Sequence, residues 1–113
     1  MIATLLAFIG ALYAAHSAFG KPVRWASATA SVYNVRSPLG CGEKYRHRYG
    51  IAHRYLPCGT RVRFLYRGRK VTARVDDRGP YAAGREFDLG PGVQDALGVH
   101  DGLPRVNYRV LGR

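Results

Sequence analysis

The sequence predicts an all-β domain: a small closed barrel with one brief helix, preceded by an apolar N-terminal segment outside the fold. Three observations point there. Thr60–Tyr66 alternates, with Val62, Phe64 and Tyr66 on one face and Arg61, Arg63 and Leu65 on the other, which is the period-2 pattern of a half-buried strand. Lys70–Val75 alternates again with Val71, Ala73 and Val75 inward, and Arg105–Leu111 repeats the pattern with Val106, Tyr108 and Val110. Only Pro91–Gly98 reads as helix: Pro91 suits a first turn, Val93 and Leu97 lie i,i+4, and Gly98 suits the C-terminal cap. Several short strands in a small domain are best served by closure, which removes exposed sheet edges.

Residues 1–20 carry no Lys, Arg, Asp or Glu, and the apolar run from Ile2 to Ala15 has the length of a signal-peptide core. It is short for a spanning helix, which needs about 20 apolar residues. Small residues follow at Ala15-His16-Ser17 and Ala18-Phe19-Gly20. We read 1–20 as an export signal, with an N-terminal anchor as the alternative, and 21–113 as a single barrel domain exported to periplasm, wall or exterior. Trp25–Tyr33 is a looser alternation that opens the domain. A domain of this size buries only about 60–65% of its unfolded surface, so a covalent staple would help. Cys41 and Cys58 are the only cysteines. In an exported chain an even count favours a disulfide, whereas two cysteines alone do not make a zinc site.

The chain turns on Arg74–Leu89. A β-branched run ends at Asp76-Asp77, breaks at Arg78-Gly79-Pro80, and returns through Gly84 to Phe87-Asp88-Leu89. Glycine and proline mark a turn, so Asp77 and Asp88 sit at two strand ends that a short loop can bring together. Four of the seven acidic side chains, Asp76, Asp77, Glu86 and Asp88, fall in this window. On spacing alone, a turn with aspartate as local cap is the competing reading. A faint echo joins His53-Arg-Tyr-Leu-Pro57 and His100-Asp-Gly-Leu-Pro104, each ahead of an alternating strand, as in a barrel of two similar halves.

The formal net charge is +11. Arg61, Arg63, Arg69, Arg74, Arg105 and Arg109 occupy outward strand positions, so the charge forms a surface and not a tail. Such a surface attracts polyanions. Tyr45, Tyr49 and Tyr55 interleaved with Arg46, Arg48 and Arg54 could stack bases. The export signal argues against a nucleic-acid partner and favours an anionic wall polymer.

Three blocks resemble the RlpA-like double-psi β-barrel family of bacterial cell-wall proteins, which is related to expansins. They are Ala30-Ser-Val-Tyr33, Ile51-Ala-His-Arg-Tyr-Leu-Pro-Cys-Gly-Thr-Arg-Val62, and Val75-Asp-Asp-Arg-Gly-Pro-Tyr81 with Gly84-Arg-Glu-Phe-Asp-Leu89. The resemblance covers nearly all of 28–111. It implies a six-stranded double-psi barrel with one or two short helices and a glycan-binding groove. It further implies a lytic transglycosylase acting on peptidoglycan glycan strands as a monomer, with no metal or cofactor. By position, Asp77 corresponds to the family's essential aspartate, His53 to its groove histidine and Glu43 to a glutamate upstream of it. Asp88 matches the aspartate of the expansins' Asp-Leu motif. Tyr33, Asp76, Arg78 and Tyr81, within the matched blocks, are expected at the substrate.

The chain departs from the family pattern at Asn34 (usually glycine), Asp76 (commonly asparagine), Cys58 (often aromatic) and Gly90 (serine). The chemistry nevertheless suits the residues. A glycoside leaving group needs a positioned acid, and neighbouring carboxylates raise the pKa of one member. A lytic transglycosylase reuses that group as base while the sugar's 6-hydroxyl closes an anhydro ring. Hydrolysis would need a second carboxylate at a defined separation. The alternative from another class is an expansin-like module that binds and loosens wall glycan without cutting it.

Overall fold

The computed structural model describes residues 24–34 and 39–113. The apolar segment 1–20, and with it the expected export signal or anchor, lies outside the described residues. Six strands form a closed barrel: β1 (Ala26–Val32), β2 (Gly50–Ala52), β3 (Arg61–Tyr66), β4 (Arg69–Asp77), β5 (Phe87–Leu89) and β6 (Arg105–Gly112). A 3-10 turn spans Glu43–Tyr45, and the helix α1 runs from Pro91 to Leu97. Around the barrel the order is β1-β5-β2-β4-β3-β6. β1/β5 and β2/β4 are parallel pairs; the other neighbours are antiparallel. Replacing each strand by the one three places further along the chain returns the same circle. The barrel is therefore two interleaved halves, β1–β3 and β4–β6. The echoed His53–Pro57 and His100–Pro104 segments lead into β3 and β6, which are equivalent under this operation.

The alternating strands deliver the core. Val62 and Phe64 from β3, Ala73 and Val75 from β4, and Val106 from β6 are fully buried with Ile51, Phe87 and Leu89. Phe64, Phe87 and Tyr108 interlock edge to face, the geometry the aromatic quadrupole favours. Val110 departs from its expected inward place and is 48% exposed. A register shift between Arg61 and Val62 disturbs this end of the β3–β6 pair, and such irregularities bend and twist a strand away from its ladder.

The helix α1 starts at Pro91 and ends at Gly98, whose left-handed φ of 70° matches its place as cap. Val93 and Leu97 face the core. Buried Gln94 donates from Nε2 to the carbonyls of Tyr33 and Leu89, fixing the helix against β1 and β5. Cys41 and Cys58 are bonded, with Cα atoms 5.8 Å apart. Closing a loop of that length stabilises by about 3 kcal/mol in the chain-entropy model.

Candidate active site

Strand register assembles the site. Ser31 of β1 pairs with Asp88 of β5, Asp88 with Ala52 of β2, and Ala52 with Asp77 of β4. Residues paired in register on neighbouring strands share a face, so Ser31, Asp88, Ala52 and Asp77 form one row across four strands. A register shift after Ile51 makes this possible: Ile51 pairs with Val75, yet Ala52 pairs with Asp77. Asp76 becomes the extra residue, as in a β-bulge, and Asp77 is re-aimed onto the row. Two interstrand spacings put the Asp77 and Asp88 Cα atoms about 10 Å apart. Ala52, between them, is small enough to leave a floor.

Each carboxylate is held by its own neighbours. Asp77 Oδ1 accepts from the backbone N–H of Gly40 at 2.5 Å and of Arg78 at 2.8 Å. Both donors converge on one oxygen, so the acid form of Asp77 carries its proton on Oδ2. Gly40 is required there: a Cβ at this position would lie 2.8 Å from Arg78 Cγ and 2.9 Å from Arg78 N. Asp88 Oδ1 accepts from the Ser31 hydroxyl. Its Oδ2 faces the Arg78-Gly79-Pro80 turn, 3.5 Å from where a Cβ on Gly79 would stand.

His53 is buried behind this row, and its ring does not turn to Asp77. Its Nδ1 accepts from the N–H groups of Tyr55 and Leu56, and its Nε2 lies 2.7 Å from Glu86 Oε1. Two donors on Nδ1 place the proton of the neutral ring on Nε2, which donates to Glu86. Only the backbone links His53 to Asp77, through His53 N–H to the Asp77 carbonyl at 3.2 Å. Glu86 Oε2 in turn receives Arg54 Nη2 at 3.3 Å, while Arg54 Nη1 donates to the Pro80 and Arg85 carbonyls. Arg54 thus ties the His53 loop to the Gly79-Pro80 turn.

Two residues expected at the substrate, Asp76 and Arg78, are engaged within the protein. Asp76 is fully buried and accepts from the His47 N–H through Oδ2, so its carboxylate anchors the 46–48 segment. Arg78 donates to the His53 and Leu56 carbonyls and to Cys58 Sγ, so its guanidinium holds the 53–58 loop. Glu43 stands in solvent on the 3-10 turn, paired with Arg46 at 2.8 Å. That hydrogen bond, helped by the Arg46 charge, holds its carboxyl below the usual carboxylate range. Tyr33 is half-buried at the end of β1. Tyr81 is 79% exposed, and its ring packs back toward Gly79.

Sequence reasoning missed Glu86 and Ser31 as site residues and offered Arg54 and Tyr55 only for stacking bases. Tyr55 is 72% exposed and sets its ring edge-on to His53, with centroids 4.6 Å apart. Glu86 had a signal, being one of the four acids in the 76–88 window. Ser31 had one too, inside the Ala30–Tyr33 block. Among the described residues no group of three or more His, Cys, Asp or Glu side chains is placed to hold a metal ion.

This strand order is that of a double-psi β-barrel. The chain belongs to the lytic transglycolase family, whose model matches residues 25–108. It is 42% identical over 80 residues to a probable endolytic peptidoglycan transglycosylase RlpA of Nostoc sp., covering 67% of this chain and 22% of that protein. A protein of the same description from Aquifex aeolicus is 46% identical over 69 residues, covering 58% of this chain and 30% of that one. The chain thus spans less than a third of either relative. Among solved structures, a Clavibacter michiganensis expansin superposes with a TM-score of 0.64 at 17% identity, over 78% of this chain and 50% of the expansin. That likeness is one of fold.

Proposed function

We propose that this barrel cleaves peptidoglycan glycan strands as a lytic transglycosylase, with Asp77 as the acid and then the base. The observation that carries the reading is the Ser31–Asp88–Ala52–Asp77 row in a member of the lytic transglycolase family. Asp77 Oδ2–H protonates the leaving glycosidic oxygen as its bond to the anomeric carbon breaks. The sugar's own 6-hydroxyl then attacks that carbon, and its proton passes to Asp77. No water is consumed, and the aspartate ends as it began. Asp88, bonded to Ser31, supplies negative charge beside the oxocarbenium-like centre. Glu43, paired with Arg46, is assigned no proton. His53 positions the loop carrying Tyr55, and Tyr55 and Tyr81 offer exposed rings to sugar faces.

The outer wall of the barrel suits a second contact. Arg63 lies directly opposite Arg109, and Arg61 opposite Arg74; no Asp or Glu occurs between Lys44 and Val75. Like charges in register are unfavourable, and an anionic wall polymer would relieve them. The protein would then act as an exported monomer held at the wall by charge.

Mass spectrometry of peptidoglycan digested by the protein tests the reading. Anhydro-sugar ends are expected. Reducing ends would indicate hydrolysis, and strands that bind without release would favour the expansin-like alternative.

A further inference from the structure

A cleft of about 540 Å³ runs from the active-site rim along β1 and β6, lined by Thr29, Arg54, Tyr81, Arg85, Glu86 and Arg105 among others. Its Tyr81 wall lies next to the Gly79 turn that Asp88 faces. The Tyr81 ring comes within 3.6 Å of the same point beside Gly79 that lies 3.5 Å from Asp88 Oδ2. At its other wall, Glu86 is the carboxylate that receives His53.

We propose that this cleft is a substrate subsite for a carboxylate borne by the glycan strand, with Arg105 as the cation that binds it. The proposal rests on the peptidoglycan reading above. Register sets Arg105 opposite Thr29. Its guanidinium is laid across β1, with Nε donating to Ser27 Oγ at 3.1 Å and Nη1 to Thr29 Oγ1 at 3.4 Å. Both partners are neutral hydroxyls. Among the described residues Arg105 forms no ion pair. A guanidinium has five N–H donors in a fixed fork, so Arg105 is oriented by two and keeps others for a ligand.

Among the described residues Glu86 is the only acid lining the cleft, and its two oxygens are engaged by His53 and Arg54. Its charge is balanced by Arg54, which leaves Arg85 and Arg105 to give the cleft a positive balance. The exposed Tyr81 ring adds a face for a pyranose. Ring and guanidinium together fit a sugar that carries an acid group. Peptidoglycan offers this chemistry from two sources, the lactyl carboxylate of a muramyl residue and the carboxylates of its stem peptide. Neutral chitin oligosaccharides offer neither.

The test is equilibrium binding in an Asp77→Asn background, with and without Arg105→Gln, on three ligands: glycan strands stripped of stem peptides, strands retaining them, and chitohexaose. Arg105→Gln should weaken binding of carboxylate-bearing strands roughly tenfold, the scale of one charge-assisted bond, and leave chitohexaose unchanged. Arg105→Lys should restore part of the loss. An effect confined to stripped strands identifies the lactyl group, and one confined to peptide-bearing strands identifies the stem; either supports the subsite. Equal weakening of chitohexaose, or no weakening on any strand, overturns it. Binding does not depend on turnover. A wild-type protein that releases no product but shows the selective Arg105 effect would keep the subsite and remove only the transglycosylase reading.

Discussion

Asp77 and Asp88 flank Ala52 in register, on one face of the barrel and two strands apart. Asp77 would not stand there without the shift between β2 and β4 that makes Asp76 the extra residue of its strand. The same shift buries Asp76 and turns its carboxylate inward to the His47 amide. One extra residue in β4 thus sorts two adjacent aspartates, one buried against the His47 amide and one set on the row beside Asp88.

Glu86 should act through His53. Replacing it with Ala leaves a buried ring N–H and the Arg54 guanidinium without their acceptor, a loss of about 1–3 kcal/mol. Glu86→Gln keeps an acceptor for Nε2–H and should retain most of the stability and activity. Thermal unfolding measures the first effect. A ¹⁵N spectrum of the imidazole, expected to keep the Nε2–H tautomer in all three proteins because the Tyr55 and Leu56 amides hold Nδ1, with the Nε2 resonance displaced only in Glu86→Ala, measures the second. An Ala variant indistinguishable from wild type in both would remove Glu86 from the site.

Much of this was legible beforehand. Period-2 alternation marked β3, β4 and β6, and Pro91 and Gly98 marked the helix ends, because side-chain direction and φ limits act locally. β2 and β5 have three residues each, too few for alternation to register. Their place came from the family blocks around Ile51 and Phe87. The burial of Asp76 was not legible, since a register shift depends on which strand pairs with β4. The hold of Arg78 on the 53–58 loop was hidden for a related reason: an arginine beside a glycine-proline turn looks free until that loop folds over it.

The disulfide should carry stability more than chemistry. Reduction of Cys41–Cys58, or a Cys41→Ser/Cys58→Ser double variant, should cost about 3 kcal/mol. It should also loosen the Gly40 amide that holds Asp77, because Gly40 adjoins Cys41. A calorimetric melt with and without reductant checks this; an unchanged midpoint would contradict it.

Gly40→Ala is the narrower probe of that contact. The added methyl meets the Arg78 backbone and Cγ below 3.0 Å, so Gly40 must withdraw from Asp77 Oδ1. Turnover should fall by about tenfold or more, since misplaced catalytic groups lose rate steeply, while the barrel still folds. Wild-type turnover in this variant would show that the amide does not position the acid.

Charge reversal at Arg61 and Arg63 should weaken retention on whole cell walls and flatten its salt dependence, because exposed charges are screened within about 8–10 Å at physiological ionic strength. Cleavage of short soluble strands should be unaffected. Sedimentation with purified walls across a salt series measures it, and salt-independent retention by wild type would make the basic face incidental.

The most direct test compares Asp77→Asn with Asp88→Asn in digestion of purified peptidoglycan, read by mass spectrometry. Asn keeps the Oδ1 acceptor for the Gly40 and Arg78 amides but has no proton to transfer to the leaving oxygen. A lost general acid costs about 10²–10⁴ in rate. Wild type should give anhydro ends, folded Asp77→Asn none above background, and Asp88→Asn a reduced but measurable yield. Wild-type yield from Asp77→Asn beside a dead Asp88→Asn would contradict it and move the acid from β4 to β5.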